Sequence, residues 1–492
     1  MILRKARGAA PRPRWGLEAP DPHPFGAFAD YVKGIAKCRG SGASRPQWGP
    51  RGQRPLGGDA LLLGGGAAAG QALATLAAPL LTRCYGAEAF GVFGLFSSLL
   101  SCAGVAASLR LDQAILLERE TEAAETLLRL TLLATLAVAG GLGAGLALLR
   151  LVAPASPWAA WALVVGAPPA VLCAGVFAAL SAWFTRQGRF RPLAAYQMTR
   201  SGATVLLQLG LSLGGRGGAL LVGGQVLGLV LATLRLAAAD RAGLRRALTG
   251  RWRPGPLLEA LRRHAGFVLH GAPQSLLRVL ATNLPLLILP VLLPSSVGAA
   301  EAGRFWLAWR MLILPSQILV ESLRGPLFRH AAGLDPAGDA RLRFLLRHCA
   351  LVAALCAPAL PALLLAGPAL FGWVFGPAWR GAGDYAALIV IPWWLEAAQM
   401  PAAVLIAVLR RQSFALKLEV VSLAARALAL AIGCRLGGPW LAVGLYAAVW
   451  GASSLVTLAA VALFGRARPG TPHIGTPHPD AAPPRPLLIT SS

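Results

Sequence analysis

Apolar segments of about 20 residues alternate with short polar turns along most of this 492-residue chain. A helix of that length crosses the hydrocarbon core of a bilayer, which is about 30 Å thick. The pattern therefore predicts an all-α polytopic membrane protein with about twelve transmembrane helices, called segments 1 to 12 here. We expect them near residues 60–81, 90–109, 128–149, 158–184, 194–213, 218–237, 267–293, 305–323, 344–366, 385–409, 414–434 and 440–464.

Lysine and arginine are distributed unequally among the loops between these segments. Loops that follow even-numbered segments carry 23 of them, whereas loops that follow odd-numbered segments carry six. Cytoplasmic loops of membrane proteins are enriched in Lys and Arg. The alternation predicts that both termini lie in the cytoplasm. It also supports the count of twelve, because one missed segment would invert the pattern partway along the chain.

A ten-residue pattern, G-A-x-x-x-G-x-F-x-L, occurs twice at corresponding places in the chain. It begins at Gly86 and again at Gly298, each time between the first and second segments of a set of six. Because six is an even number, the two sets have the same membrane orientation. The repeat predicts a duplicated fold of two six-helix lobes, related by an axis along the membrane normal.

The repeat and the loop lengths define the expected domains. We predict an N-lobe over residues 58–237 and a C-lobe over residues 267–465. Residues 238–266, the most basic internal loop, form a cytoplasmic linker with an amphipathic helix expected around Pro256 to His264.

The two ends of the chain differ from the rest in composition. Residues 1–57 are rich in Pro, Arg and Gly and residues 466–492 are polar, so both are predicted to be disordered. An alternative for the first stretch is a misplaced start, with the protein beginning just before Asp59.

The overall composition agrees with a membrane protein. Only 13% of residues are charged, against about 25% in soluble proteins. The net charge of +26 resides in particular loops, so it does not predict nucleic-acid binding. The seven cysteines are scattered and form no C-x-x-C pair, so neither a disulfide framework nor a metal site is expected. No cofactor is predicted.

Motifs of common catalytic sites are absent from the sequence. There is no P-loop, no G-x-S-x-G and no H-E-x-x-H. The predicted external loops are also too short to hold a catalytic domain. We therefore expect a transporter and not an enzyme, and one that does not hydrolyse ATP through a P-loop.

Polar and ionisable residues within predicted spans are the candidates for substrate binding, because they are costly in a membrane and mark function. Most of the ionisable ones lie in the C-lobe. The cavity candidates are Arg278, Arg310, Arg426, Glu396 and Asn283. A guanidinium stays charged and offers a fork of donors that fits phosphate oxygens. A cavity lined by arginines therefore favours a phosphate-bearing anion.

Other interpretations of these residues remain open at this point. Arg310 is able to pair with a carboxylate such as Glu396. Glu321 is expected to form an interfacial pair with Arg324. Glu419 is also able to face cytoplasmic water.

Segment 7 carries two prolines close to its polar residues. Pro285 and Pro290 follow Arg278 and Asn283. Proline removes a backbone hydrogen bond and kinks a helix. The combination predicts a broken helix suited to a gate.

Four stretches carry a resemblance to a known family. They are Pro79–Phe93 in the first hairpin, Arg110–Leu117 after segment 2, Ala302–Phe328 around segment 8, and the turn F-G-P-A-W-R-G-A-G-D-Y at Phe375–Tyr385. Over residues 59–465 the chain resembles bacterial polysaccharide biosynthesis proteins, including O-antigen flippases. These belong to the multidrug/oligosaccharidyl-lipid/polysaccharide (MOP) exporter superfamily.

The resemblance implies a MATE/MOP-like fold and a flippase of the bacterial inner membrane. Such a protein moves polyprenyl-pyrophosphate-linked oligosaccharide across the bilayer for O-antigen, capsule or exopolysaccharide synthesis. It works by alternating access without ATP hydrolysis, and coupling to an ion gradient is expected. The implied partners are the lipid-linked oligosaccharide, the bilayer, and a polysaccharide polymerase and glycosyltransferases.

Three competing functions remain. A multidrug or cation exporter of the same superfamily would need acidic residues in its cavity, and the first half has almost none. A major-facilitator carrier would show G-x-L-x-D-R-x-G-R-R after segment 2, which residues 110–129 lack. The third alternative, from another class, is a membrane glycosyltransferase or polymerase.

Overall fold

The computed structural model describes residues 56–118, 120–249, 254–334, 340–409 and 411–466. Nearly all of these residues are helical. The first half contains α1 (Leu56–Cys84), α2 (Ala87–Ser108), α3 (Leu111–Leu117), α4 (Thr121–Val152), α5 (Trp161–Arg186), α6 (Arg191–Leu211) and α7 (Gly218–Ala238). The predicted tails lie outside the described residues, apart from Leu56 and Gly57, which open α1, and Arg466, which ends the last helix.

Two short helices follow α7 and connect the lobes, namely α8 (Arg241–Thr249) and α9 (Pro254–Arg263). The second half contains α10 (Ala272–Leu292), α11 (Ser295–Ala332), α12 (Ala340–Cys356), α13 (Ala359–Phe375), α14 (Arg380–Ala398), α15 (Met400–Val408) and α16 (Gln412–Arg466).

Each of the twelve predicted segments overlaps these helices, although segments 9 and 10 each extend over two of them. Eight stretches are long and apolar enough to cross a membrane by length and composition, and one of them, Ser413–Phe464, contains two predicted segments. The other three segments lie in α1, α6 and α11. The described chain is thus an all-helical, multi-pass membrane protein.

The last two segments meet at a backbone turn inside α16. Gly437 and Gly438 leave the helical conformation, and Gly438 has a φ of +75°. Such a positive φ is readily adopted by glycine and is strained for residues with a side chain. The turn therefore separates segments 11 and 12 at the position expected from the sequence.

The two copies of the repeated pattern contact each other, and this contact joins the lobes. A Cβ added at Gly91 would lie 1.8 Å from the carbonyl oxygen of Ala299, and one at Gly303 would lie 1.9 Å from that of Ala87. Gly91 corresponds to Gly303 in the repeat, and Ala87 to Ala299. The contact is therefore reciprocal, as a pseudo-twofold axis requires. Only glycine permits the backbones of α2 and α11 to come this close.

Aromatic side chains surround this contact. The ring of Trp306 lies 5.5 Å from that of Phe90 and 5.2 Å from that of Phe93, measured between centroids. Trp379, at the start of α14, packs edge-on against Phe90 and donates a 3.1 Å hydrogen bond to the carbonyl of Thr82. These contacts tie the end of α1 to the C-lobe beside the repeated pattern.

Replacing Gly303 with valine is expected to destabilise the closed contact between the lobes. The new side chain would overlap the backbone at Ala87, and overpacking of this kind costs about 1–3 kcal/mol. We expect a lower melting temperature, measured on purified protein. The matched control is Gly140→Val, because a Cβ at Gly140 meets no atom within 4 Å. Equal melting temperatures for the two variants would contradict the close approach.

The linker between the lobes packs on the N-lobe. Ala260 of α9 lies against an apolar cluster that includes Leu127 and Trp183. His264 comes within 3.3 Å of the carboxylate of Glu118, which follows α3. The helix Pro254–Arg263 occupies the place where the sequence predicts an amphipathic helix.

The expectation of a broken segment 7 is wrong. The helix α10 continues through Pro285 and Pro290, and the irregular backbone lies before it, as a π-helical turn at Phe267–Gly271. Both prolines are buried, so packing against neighbouring helices holds α10 together where its own hydrogen bonds are lost.

Candidate functional site

The C-lobe contains a cavity of about 360 Å³. Its walls come from α10, α11, α14, α15 and both halves of α16. The helical spacing of the wall residues explains how one cavity collects them. On α16, Glu419, Ser422 and Arg426 are three and four residues apart and so lie on one face. On α10, Arg278 and Thr282 are related in the same way.

Three of the five predicted site residues line this cavity together. They are Arg278, Glu396 and Arg426, and Glu419 joins them. The side chains of Arg278 and Glu396 are exposed, whereas Arg426 is buried. Two positive and two negative charges therefore surround one space. The structure thereby brings together residues that are separated by up to 148 positions in the sequence.

The four charges interact across the cavity without direct pairing. Glu396 feels the fields of Arg426, Glu419 and Arg278. Among the side chains that the structure describes, none of these four forms an ion pair. The four charges are therefore not neutralised by direct ion pairs with one another.

Arg426 is positioned by contacts on its own helix pair. Its Nη2 donates a 3.0 Å hydrogen bond to Ser453 Oγ, and its guanidinium lies 5.9 Å from the ring centre of Tyr446. Its Nε is buried without a hydrogen-bond partner, and so is the hydroxyl of Ser422 one turn earlier. An unpaired buried donor costs free energy, and a ligand that accepted a hydrogen bond from Arg426 Nε would remove that cost.

Three tryptophans form part of the remaining wall. The rings of Trp309 and Trp450 have centroids 5.3 Å apart and are inclined at 60°. Trp393 donates a 3.2 Å hydrogen bond from Nε1 to Ser316 Oγ. All four residues line the cavity. The wall therefore combines flat apolar rings with polar groups.

Arg310 lies elsewhere, at the interface between the lobes. Its guanidinium is 5.7 Å from the ring centre of Trp306 and is repelled by the charge of Arg200 on α6. No ion pair joins either arginine to a described carboxylate. The alternative that Arg310 pairs with Glu396 is therefore wrong. Trp309 faces the C-lobe cavity, whereas Arg310 faces the other lobe. Consecutive residues of a helix point about 100° apart.

Arg200 is the residue that sequence inspection missed. It lies within predicted segment 5 but was not among the cavity candidates, and the structure places it nine residues inside α6. Its Nε is buried without a partner. Its place inside the predicted span 194–213 was the signal that could have made it a candidate, because ionisable residues within spans mark function.

Asn283 is also outside the C-lobe cavity. Its Nδ2 donates a 2.8 Å hydrogen bond to the carbonyl of Val279, one turn earlier in α10. Five residues separate it from Arg278, which rotates it by about 140° around the helix. The side-chain amide of Asn283 is therefore hydrogen-bonded to the backbone of its own helix. The side chain of Glu321 lies outside the described part of the structure.

Comparison with solved structures identifies the class of this fold. A multidrug resistance MATE family transporter of the MOP superfamily, in an inward-facing conformation, aligns with a TM-score of 0.58 at 16% identity, over 80% of this chain and 94% of that one. The lipid II flippase MurJ, in an inward closed conformation, aligns with a TM-score of 0.59 at 10% identity, over 81% and 87%. A MOP superfamily transporter from Pyrococcus furiosus gives 0.52 at 14% identity, over 84% and 98%. The fold is therefore that of MOP superfamily transporters.

The family follows from a direct match of the sequence. Residues 80–384 match the model of the polysaccharide biosynthesis protein family. This range is more than half of the chain, and the chain belongs to that family. No curated protein matches the sequence.

Proposed function

We propose that this protein translocates a polyprenyl-pyrophosphate-linked oligosaccharide across the bacterial inner membrane for surface polysaccharide synthesis. The observation that carries the proposal is a pair of arginines, one from each lobe, whose charges act on each other. Arg200 and Arg310 repel each other and have no described carboxylate as partner. Two uncompensated guanidiniums in a membrane protein are costly unless an anion occupies the space between them.

The chemistry of the pair favours a pyrophosphate. Guanidinium groups stay charged at every physiological pH and donate paired hydrogen bonds to phosphate oxygens. One arginine comes from each lobe, so an anion bound between them would contact both moving parts. The polysaccharide biosynthesis family of the chain supports a phosphate that carries a glycan.

Movement of the lobes would provide the transport step. In the orientation predicted by the loop charges, both termini are cytoplasmic and the Gly91–Gly303 contact closes the periplasmic side. Separation of α2 from α11 would then open that side without any nucleotide. The polymerase and glycosyltransferases of the same pathway are the proposed partners.

Reconstitution tests this function. Purified protein in liposomes that contain a fluorescent polyprenyl-pyrophosphate oligosaccharide should make that lipid accessible to an external glycosidase, without added nucleotide. Protein-free liposomes are the control. Absence of translocation with any lipid-linked donor would reject the proposal, and elongation of the glycan would favour the glycosyltransferase alternative. Export of an organic cation by the same liposomes would favour the multidrug alternative.

A further inference from the structure

The C-lobe cavity offers hydrogen-bond donors and acceptors in nearly equal measure. Arg278 and Arg426 supply donors, and Glu396 and Glu419 supply acceptors. Gln399, another wall residue, has a buried Oε1 without a partner. A ligand that satisfies such a wall must itself donate and accept several hydrogen bonds. Hydroxyl groups do both.

The charge balance argues against an ionic ligand in this cavity. Its two arginines and two glutamates sum to zero, unlike the purely positive pair at the lobe interface. A phosphate would be attracted by the arginines and repelled by the carboxylates. The cavity and the interface therefore suit different chemical groups.

The tryptophan wall suits the flat face of a sugar ring. Trp309 is partly exposed and lines the cavity beside Trp450. A pyranose presents apolar C–H groups on its faces and hydroxyls around its edge. Aromatic rings bury the C–H groups, while polar side chains bind the hydroxyls. The volume of about 360 Å³ lies near the lower end of ligand pockets, roughly 300–1,000 Å³, which suits one sugar unit.

The cavity and the proposed phosphate site both draw residues from α11. Trp309 and Arg310 are consecutive in α11, and they face the cavity and the lobe interface respectively. A pyrophosphate held by Arg310 would place its attached sugar next to the tryptophan wall.

We propose that the C-lobe cavity binds the uncharged pyranose that is linked directly to the pyrophosphate. This inference rests on the proposed function and adds a specificity site to it. Stacking on Trp309 and hydrogen bonds to Glu396 and Arg426 select a neutral, hydroxyl-rich sugar. The Arg200–Arg310 pair binds the pyrophosphate, which all such lipids share.

Binding of three defined lipids tests the inference. The full-length protein in nanodiscs is titrated with polyprenyl pyrophosphate, with its neutral monohexosyl derivative and with its monohexuronosyl derivative. We expect the neutral hexosyl lipid to bind about tenfold more tightly than the bare lipid, from one stacking contact and a few hydrogen bonds. The hexuronosyl lipid should show no such gain, because the charges of the cavity wall sum to zero and do not offset the cost of removing its carboxylate from water.

Variants then assign the gain to the cavity. Trp309→Leu and Glu396→Gln should each reduce the ratio of the two dissociation constants, bare lipid over hexosyl lipid, to about twofold or less. The matched control is Trp373→Leu, because Trp373 is 82% exposed on the outer surface of α13 and should keep the full ratio. Should Trp309→Leu fail to fold, Glu396→Gln still decides the matter.

The outcomes separate this inference from the proposed function. Equal affinity of the wild type for the bare and hexosyl lipids, with both bound, overturns the sugar site and leaves the phosphate site intact. Retention of the full ratio in both cavity variants, or a gain for the hexuronosyl lipid, overturns it as well. If no lipid binds, the proposed function falls, and the sugar site falls with it.

Discussion

Replacement of Arg310 with methionine is expected to raise the melting temperature of the ligand-free protein and to lower transport by roughly 10- to 100-fold. The first effect follows because methionine fills a similar volume without the charge that Arg200 repels. The second follows because a charge-assisted hydrogen bond contributes about 1.5–3 kcal/mol, and about 1.4 kcal/mol corresponds to a factor of ten in binding. A gain of stability together with a loss of function is the behaviour of a binding site.

Two measurements check this prediction. Melting temperatures are recorded in detergent without lipid, and translocation is recorded in liposomes. Arg310→Lys keeps the charge but loses the fork, so it should retain the wild-type melting temperature and part of the transport. Arg435→Met removes an exposed arginine of α16 and should change neither quantity. A less stable Arg310→Met variant, or one with full transport, would show that Arg310 serves structure instead.

Arg426→Ala is expected to abolish most transport and also to destabilise the protein. The substitution removes the hydrogen bond to Ser453 and leaves two carboxylates facing the single cation of Arg278. Loss of one partner from a buried charge pair costs about 3–5 kcal/mol. We expect about 1–2 kcal/mol here, because no direct ion pair joins Arg426 to a described carboxylate.

A second substitution separates the two effects of Arg426→Ala. Adding Glu396→Gln restores the balance of charges in the cavity. The double variant should therefore recover much of the melting temperature, while transport stays low because the charges of Arg426 and Glu396 are both gone. Arg435→Ala on the same helix serves as control. If the double variant is no more stable than Arg426→Ala, the coupling between the two side chains is absent.

The helices of this protein could be predicted from the sequence because a bilayer imposes a simple requirement. Every span needs about 20 apolar residues, and the loop charges alternate with each crossing. Both signals are local, so all twelve segments were located without any tertiary contact. The break at Gly437–Gly438 was equally visible, since a glycine pair interrupts the apolar run.

The grouping of the polar residues was only partly predictable. Arg278, Glu396 and Arg426 do share a cavity, as their placement within spans suggested. Arg310 and Asn283 do not join them, because rotation about the helix axis directs side chains to different neighbours. Arg200 was missed although it lies within predicted segment 5, because nothing along the chain shows that its charge acts on Arg310 of the other lobe.

The sequence by itself determined the helix count, the family and the duplication marked by Gly91 and Gly303. Those features depend on composition and on order along the chain. The tertiary structure decided that the two copies of the pattern meet each other, and that the charges divide between a balanced cavity in one lobe and a positive pair between the lobes. The reason is geometric. A helix turns about 100° per residue, so neighbours such as Trp309 and Arg310 serve different surfaces, and only packing shows which.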